Sequence, residues 1–326
     1  MKKMNRKSVI MLVILAAFLA IPLVDSNQYH IYMLDRALLN AMIASGLVAL
    51  TGLAGQMSLG HAAFYGIGAY ASAIVTKTFG VPVIVGVISA AVLCLVIGML
   101  LSIPSFKLSG FYLSLVTISF GNIVWTVIVN WYSLTGGSLG LLGIQPIRIA
   151  GRAITRTEFF YLAAAVLALI YFVTTRMARS YIGRGLRAVR DDEMAAETAG
   201  IDTKRLKLLV FSLSAIYAGI AGALYAHLST FLSPESFVQA ESANFVAMSV
   251  VGGIRHMLGG TIGGLAVTMI PEMLRVKGWE IYYLMGSSLA ILVLVIMLPN
   301  GLAPSFEKFI DRLAGIDRKS GKRQVK

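Results

Sequence analysis

The sequence has little charge and almost no cysteine. Of its 326 residues only 13% are charged, 57% are hydrophobic, and the mean hydropathy is +0.80. So few charged side chains cannot cover that much apolar surface in water, which excludes soluble enzymes, disordered regulators and disulfide scaffolds. The single cysteine, Cys94, lies in an apolar run, so there is neither a disulfide framework nor a thiolate metal cluster. The composition indicates a protein whose solvent is lipid.

The sequence also has no Walker A motif, no H-E-x-x-H and no C-x-x-C, so ATP hydrolysis and zinc catalysis have no local signature. Residues 183–188 fit G-x-G-x-x-A, but they follow an apolar run instead of the strand that a dinucleotide-binding fold requires. We therefore predict no catalytic, cofactor-binding or metal-binding residues in this chain, and we expect it not to be an enzyme.

Long apolar runs predict an all-α, polytopic membrane protein. A bilayer core about 30 Å thick requires about 20 apolar residues per helix, and the runs are too long for barrel strands. About ten spans are predicted, of which the eighth and ninth are either two short helices or include a re-entrant half. The predicted spans are residues 9–24, 34–53, 58–76, 82–103, 110–131, 158–175, 208–231, 241–254, 259–274 and 281–298.

The basic residues predict the orientation of these spans. The net charge is +13, and 19 of the 28 basic residues fall before residue 9, between 176 and 207, and after residue 304. Because they flank apolar runs, this pattern indicates cytoplasmic segments and not nucleic-acid binding. Both termini and residues 176–207 are therefore predicted to be cytoplasmic. Spans two to five and seven to ten would then have opposite orientations, which permits an inverted repeat.

A glycine-rich segment, TGLAGQMSLGHAAFYGIGAY, covers residues 51–70. Small residues at this spacing allow close helix packing, while glycine pairs can also break a helix. Both interpretations stay open from the sequence: tight packing, or a broken helix beside a translocation pathway. In the second interpretation the pathway residues are Gln56, Ser58, His61 and Gly66.

Ionisable residues inside the spans are few. Asp35 and Arg36 begin the second span, and we expect both to reach the interface by snorkelling. Glu241 and Glu272 lie near the ends of their spans, where they face either the interface or a wet cavity.

The most polar internal stretch, RSYIGRGLRAVRDDEMAAETAGIDTKRLK, lies between two long apolar runs. Its apolar residues recur at helical intervals, and Gly200 is expected to end the helix. The pattern predicts a short amphipathic helix at the membrane face. Ala195, Ala196 and Gly200 would give it a small-residue surface that a partner protein can contact.

Six motifs together resemble the permease subunit of bacterial branched-chain amino acid ATP-binding-cassette importers, from about residue 34 to Leu302. The motifs are GQMSLGHAAFYGIGAY, GFYLSLVTISFGNIV, LTGGSLGL, IGRGLRAVRDDEMAAETAGI, AGIAGALYAHLSTFLSPESF and VVGGIRHMLGGTIGG. The resemblance implies a second, homologous permease, two cytoplasmic ATPases and a periplasmic or extracellular substrate-binding protein as partners. The ATPases would use ATP, so the resemblance implies no cofactor in this chain.

The same resemblance implies that residues Arg184–Gly200 form the region through which an importer permease engages its ATPases. Ala195, Ala196 and Gly200 match the family's E-A-A-x-x-x-G spacing, whereas Met194 separates Glu193 from the alanines. The predicted ATPase-coupling residues are Arg187, Arg190, Glu193, Ala195, Ala196 and Gly200.

These observations predict a permease domain over residues 1–303, including the coupling segment 176–207, and a basic cytoplasmic tail over 304–326. The expected function is inward transport of branched-chain amino acids by alternating access, in the bacterial cytoplasmic membrane. Other amino acids, urea or short amides are alternative substrates. An ion-coupled secondary transporter is a second alternative, against which the docking segment argues.

Overall fold

The computed structural model describes residues 6–25, 27–106, 110–149, 151–273, 289, 292–293 and 296–313. Within these ranges the regular secondary structure is helical except for two short antiparallel strand pairs, Leu141–Leu142 with Phe231–Leu232 and Arg148–Ile149 with Arg152–Ala153. The helices are α1 (Arg6–Val24), α2 (Gln28–Leu47), α3 (His61–Phe79), α4 (Val83–Ser102), α5 (Phe111–Asn130), α6 (Tyr132–Thr135), α7 (Arg156–Arg179), α8 (Tyr181–Asp191), α9 (Glu193–Thr198), α10 (Thr203–Ser229), α11 (Gln239–Gly252), α12 (Gly259–Met273) and α13 (Leu302–Leu313). A π-helical segment, Val48–Leu53, extends α2.

Each of the first nine predicted spans overlaps a helix, so the all-α membrane fold is confirmed, although the number of crossings is not. Five helices are long and apolar enough to cross a bilayer: Gln28–Leu53, Val83–Ser102, Phe111–Asn130, Arg156–Arg179 and Thr203–Ser229. The tenth predicted span, residues 281–298, lies mostly outside the described residues. The eighth and ninth spans are separate helices, because residues 253–258 form a turn between α11 and α12. With 14 residues α11 is about 21 Å long, shorter than a bilayer core of about 30 Å.

Two helices form the centre of the bundle. Of the 18 most apolar consecutive residues in the α2 span 89% are buried, and in α10 the share is 72%. In α4, α5 and α7 the corresponding share is only 22–33%. The central helices approach their neighbours through glycine. A β-carbon at Gly68 on α3 would lie 2.2 Å from the Gly219 carbonyl oxygen on α10, and one at Gly264 on α12 would lie 2.4 Å from Cα of Ala41 on α2. Only glycine permits these backbone contacts.

The packing has an internal symmetry that agrees with an inverted repeat. Helix α4 packs along α10 as α12 packs along α2, and α3 packs on α4 as α11 packs on α12. The first turns of α3 and α11 contact each other, and the two helices then run toward opposite ends of the bundle. Residues 28–102, which contain α2, α3 and α4, therefore correspond to residues 203–273, which contain α10, α11 and α12.

Burial corrects one expectation about the second span. Asp35 is fully buried, and neither of its carboxylate oxygens has a hydrogen-bond partner among the described residues. It does not snorkel, because α2 is the central helix and neighbouring helices enclose this position. The guanidinium of Arg156 on α7 is in electrostatic range of Asp35, and one of its nitrogens is also buried without a hydrogen bond.

Candidate functional site

The helix of the second span does not pass directly into α3. The widened π-helical turn ends at Leu53, and residues 55–60 are not helical. Gly55 has a φ of +70°, and a β-carbon there would lie 2.8 Å from the Arg190 Cγ. At Gly60 a β-carbon would lie 2.6 Å from the Thr117 carbonyl oxygen. These two glycines allow a break in the helix inside a packed bundle, where irregular backbone must be enclosed by protein.

The structure packs the predicted pathway residues inside the subunit. Gln56, Ser58 and His61 are 4%, 1% and 0% exposed. The Ser58 hydroxyl lies 3.1 Å from His61 Nδ1, and His61 Nε2 lies 2.7 Å from the Ser214 hydroxyl on α10. A β-carbon at Gly66 would lie 3.2 Å from the ring of Phe237. In this conformation the four residues belong to a closed helix junction, and their role in a pathway stays a prediction.

Gln56 is the least satisfied member of this junction. Both atoms of its side-chain amide are buried and lack a hydrogen-bond partner among the described residues. A buried polar group without a partner costs about 1–3 kcal/mol. The segment therefore contains a polar side chain that this conformation does not stabilise.

The first turns of α3 and α11 contact each other, which the sequence did not predict. The Gln239 amide nitrogen of α11 donates to the Leu59 carbonyl at 2.7 Å, and the Ala62 N–H of α3 donates to the Ser242 hydroxyl at 2.9 Å. This junction lies well inside the bundle, because His61 binds Ser214, which is about 16 Å along α10 from Thr203. The two short, interrupted hydrophobic segments were the only signal for it in the sequence.

The predicted coupling segment is a helical corner, α8 followed by α9. Asp192 has extended backbone angles between the two helices, and its carboxylate accepts from the Ala195 N–H at 3.0 Å. Gly200 has a φ of +80°, as expected of a glycine that ends a helix. The single amphipathic helix predicted from sequence is therefore wrong in detail, because the Asp192 cap starts a second helix in a new direction.

Not all of the small residues lie on the surface of this corner. Ala195 and Gly200 are exposed, and Met194 beside them is 79% exposed. Ala196 is buried, since it occupies the inner side of α9. The surface available to a partner thus includes Met194, Ala195 and Gly200 but not Ala196.

Three predicted coupling residues attach the corner to the long helices. Arg187 donates to the Ala178 carbonyl at 2.9 Å, and Arg190 donates to the Gly52 carbonyl at 2.7 Å. Glu193 forms an ion pair with the ammonium of Lys207, which is buried on α10. These contacts join the corner to α7, to the π-helical end of α2 and to α10.

A cavity of about 240 Å³ lies between the corner and the glycine-rich segment. Its lining includes Gln56, Arg190, Glu193 and Lys207. Both predicted sets of functional residues therefore contribute to the wall of one cavity. Within the described ranges, no group of three His, Cys, Asp or Glu side chains is placed to hold a metal ion.

Comparisons with known proteins identify the family of the chain. Residues 30–298 match the family model described as branched-chain amino acid transport system, permease component. The permease protein LivM of the high-affinity branched-chain amino acid transport system of Escherichia coli is 32% identical over 287 residues, which cover 81% of this chain and 67% of LivM. LivH of the same organism is 26% identical over 289 residues, 82% of this chain and 92% of LivH. The probable LivM of Methanocaldococcus jannaschii is 23% identical over 204 residues, 62% of this chain and 59% of that protein. No solved structure matches the chain.

Proposed function

The chain belongs to the branched-chain amino acid transport permease family, and on that premise we propose that it is a membrane-spanning subunit of an ATP-driven importer of branched-chain amino acids. The importer lies in the bacterial cytoplasmic membrane. A second, homologous permease completes the membrane part, two cytoplasmic ATPases supply the energy, and a binding protein on the outer side delivers the substrate.

One observation carries the proposal beyond the family match, namely the exposed and firmly attached corner formed by α8 and α9. An exposed apolar Met194 beside small residues is typical of a contact surface, while Arg190 and Glu193 bind the corner to the long helices. A partner that moves the corner must therefore also move the helices. An isolated solvated loop would not transmit movement in this way.

The mechanism follows from these contacts. ATP binding brings the two ATPases together and displaces the corners that rest on them. Arg190 carries this displacement to the Gly52 carbonyl, next to the break between α2 and α3. The helix junction at His61 then changes its packing, and the site opens alternately to the two sides of the membrane.

The proposal is tested with the permease pair, ATPases and binding protein that are encoded together, purified and reconstituted in proteoliposomes. We expect ATP-driven leucine uptake that isoleucine and valine inhibit and urea does not. Inhibition by urea alone would assign the chain to an amide importer. Uptake that needs an ion gradient and no ATP would reject the proposal in favour of a secondary transporter.

The coupling surface is tested separately by Met194→Asp. We expect loss of the ATPases from the purified complex, because a charge replaces an apolar contact. The matched control is Leu142→Asp, since Leu142 is also an exposed apolar residue, 64% exposed, and is remote from the corner. Equal recovery of ATPases with both variants would contradict the assignment of this surface.

A further inference from the structure

Two oppositely charged side chains lie near each other in the half of the bundle remote from the α8–α9 corner. Arg36 on α2 and Glu241 in the first turn of α11 are both partly exposed. Glu241 is in electrostatic range of Arg36, but neither residue is in an ion pair within the part of the chain that the structure describes. The position along the bundle follows from Tyr225, close to the end of α10, because the Arg36 guanidinium lies 5.5 Å from the centre of its ring.

Aromatic rings surround this pair of charges. The Tyr65 ring centre lies 5.4 Å from that of Tyr225 and 5.3 Å from that of Phe237. All three rings are almost fully buried, so their positions are fixed by packing. Tyr32, which is partly exposed, also lies near Arg36. The charges are thus held beside a rigid apolar surface.

The exposed sides of Arg36 and Glu241 cannot face lipid without a large cost, because an unpaired charge in hydrocarbon is strongly unfavourable. Positions that are suited to face lipid carry apolar side chains, such as Ile88 on α4 and Ile123 on α5. The face with Arg36 and Glu241 must therefore contact water or another polar surface. By contrast, the pathway residues predicted from sequence are buried within the subunit.

We propose that Arg36 and Glu241, with the aromatic rings beside them, form a binding site for the zwitterion of an aliphatic amino acid. Arg36 binds the α-carboxylate through its planar guanidinium, and Glu241 binds the α-ammonium. The partly exposed Tyr32 ring contacts the aliphatic side chain, while the buried Tyr225 ring holds the Arg36 guanidinium in place. This inference rests on the proposed transport function, and it places the site inside the half of the permease that receives substrate from the binding protein.

The first test is chemical labelling of the reconstituted complex with a charged, water-soluble thiol reagent. Cys94 is fully buried, so the native chain gives the unlabelled background. We expect Glu241→Cys and Arg36→Cys to be labelled and Ile123→Cys, 63% exposed on an apolar helix face, to be unreactive. Each variant keeps the other charged residue, so leucine-loaded binding protein at a saturating concentration should slow the labelling of both site variants. Binding protein without leucine should not.

The second test is leucine uptake by the same complex. Arg36→Gln and Glu241→Gln should each lower uptake about tenfold or more, because each removes a hydrogen bond to a charged group of the substrate. Glu235→Gln is the matched control, since Glu235 is an exposed carboxylate six residues before Glu241. It should transport as the native chain does.

The outcomes separate the site from the transport function. If the native complex takes up leucine but labelling of the two cysteine variants is independent of leucine, the site is rejected and the importer stands. Labelling of Ile123→Cys as fast as the site variants would also reject the site. Water would then reach the apolar helix face as readily as the face with Arg36 and Glu241. Absence of ATP-driven leucine uptake by the native complex would overturn the proposed function and the site together.

Discussion

Removing the hydrogen bond between Arg190 and the Gly52 carbonyl is the most direct test of how movement passes from the corner to the membrane helices. We propose Arg190→Met as the perturbation. Its unbranched side chain keeps the packing of the arginine stem against Gly55, while the guanidinium that binds Gly52 is lost. Met194 and Ala195, the residues proposed to contact the ATPases, are unchanged.

The size of the effect follows from the contact that is removed. A hydrogen bond to a charged group contributes about 1.5–3 kcal/mol, which corresponds to about a 10- to 150-fold change in an equilibrium constant. We expect a loss of this order in the fraction of ATPase cycles that move the helices. Arg190→Lys should recover part of it, because an ammonium can reach the carbonyl but cannot also bind Asp191 as the guanidinium does.

The assay is the number of ATP molecules hydrolysed per leucine transported in proteoliposomes. Arg190→Met should retain its ATPases and hydrolyse ATP, while the number of ATP molecules used per leucine rises. The matched control is Arg184→Met on the same helix, because Arg184 is exposed and its guanidinium lies 6.0 Å from the ring of Tyr181. A native ratio in Arg190→Met, or an equal rise in Arg184→Met, would refute this reasoning.

Three further predictions follow from single positions. Gly200→Asn should retain more ATPase in pull-downs than Gly200→Val, because asparagine tolerates the φ of +80° and a β-carbon there meets open space; equal losses would contradict a conformational role. Gln56→Leu should raise or preserve the melting temperature of the complex, because it removes a buried amide that lacks a hydrogen-bond partner among the described residues. It should slow leucine uptake if the amide is hydrogen-bonded in another conformation of the transport cycle. A lower melting temperature would show that the amide is already stabilised. Gly68→Ala should lower the melting temperature by several degrees or prevent assembly, because its methyl group would lie 2.2 Å from the Gly219 carbonyl oxygen. The control, Ala71→Gly on the same helix, should lower the free energy of unfolding by about 1 kcal/mol. A native melting temperature for Gly68→Ala would contradict the close packing of α3 on α10.

The sequence by itself determined the fold class and the approximate positions of the helices. Its hydropathy can be satisfied only in lipid, where backbone groups must be paired within a segment, so long apolar runs have to be helices. The motifs also identified the family, since several long segments occur in a fixed order. The backbone conformation of Gly200 could also be predicted from the sequence, because a glycine that follows a helical pattern commonly ends the helix with left-handed backbone angles.

Only the tertiary structure decided which polar side chains are buried and which are exposed. Asp35 and Arg36 are neighbours in sequence, yet Asp35 is buried between helices and Arg36 is partly exposed beside Tyr225. The meeting of α3 with α11 joins residues about 180 positions apart, which no local pattern encodes. The attachment of Arg190 to Gly52, 138 positions away, is decided in the same way. Hydropathy specifies that a segment enters the membrane, whereas the partner of each polar group inside it depends on how the helices pack.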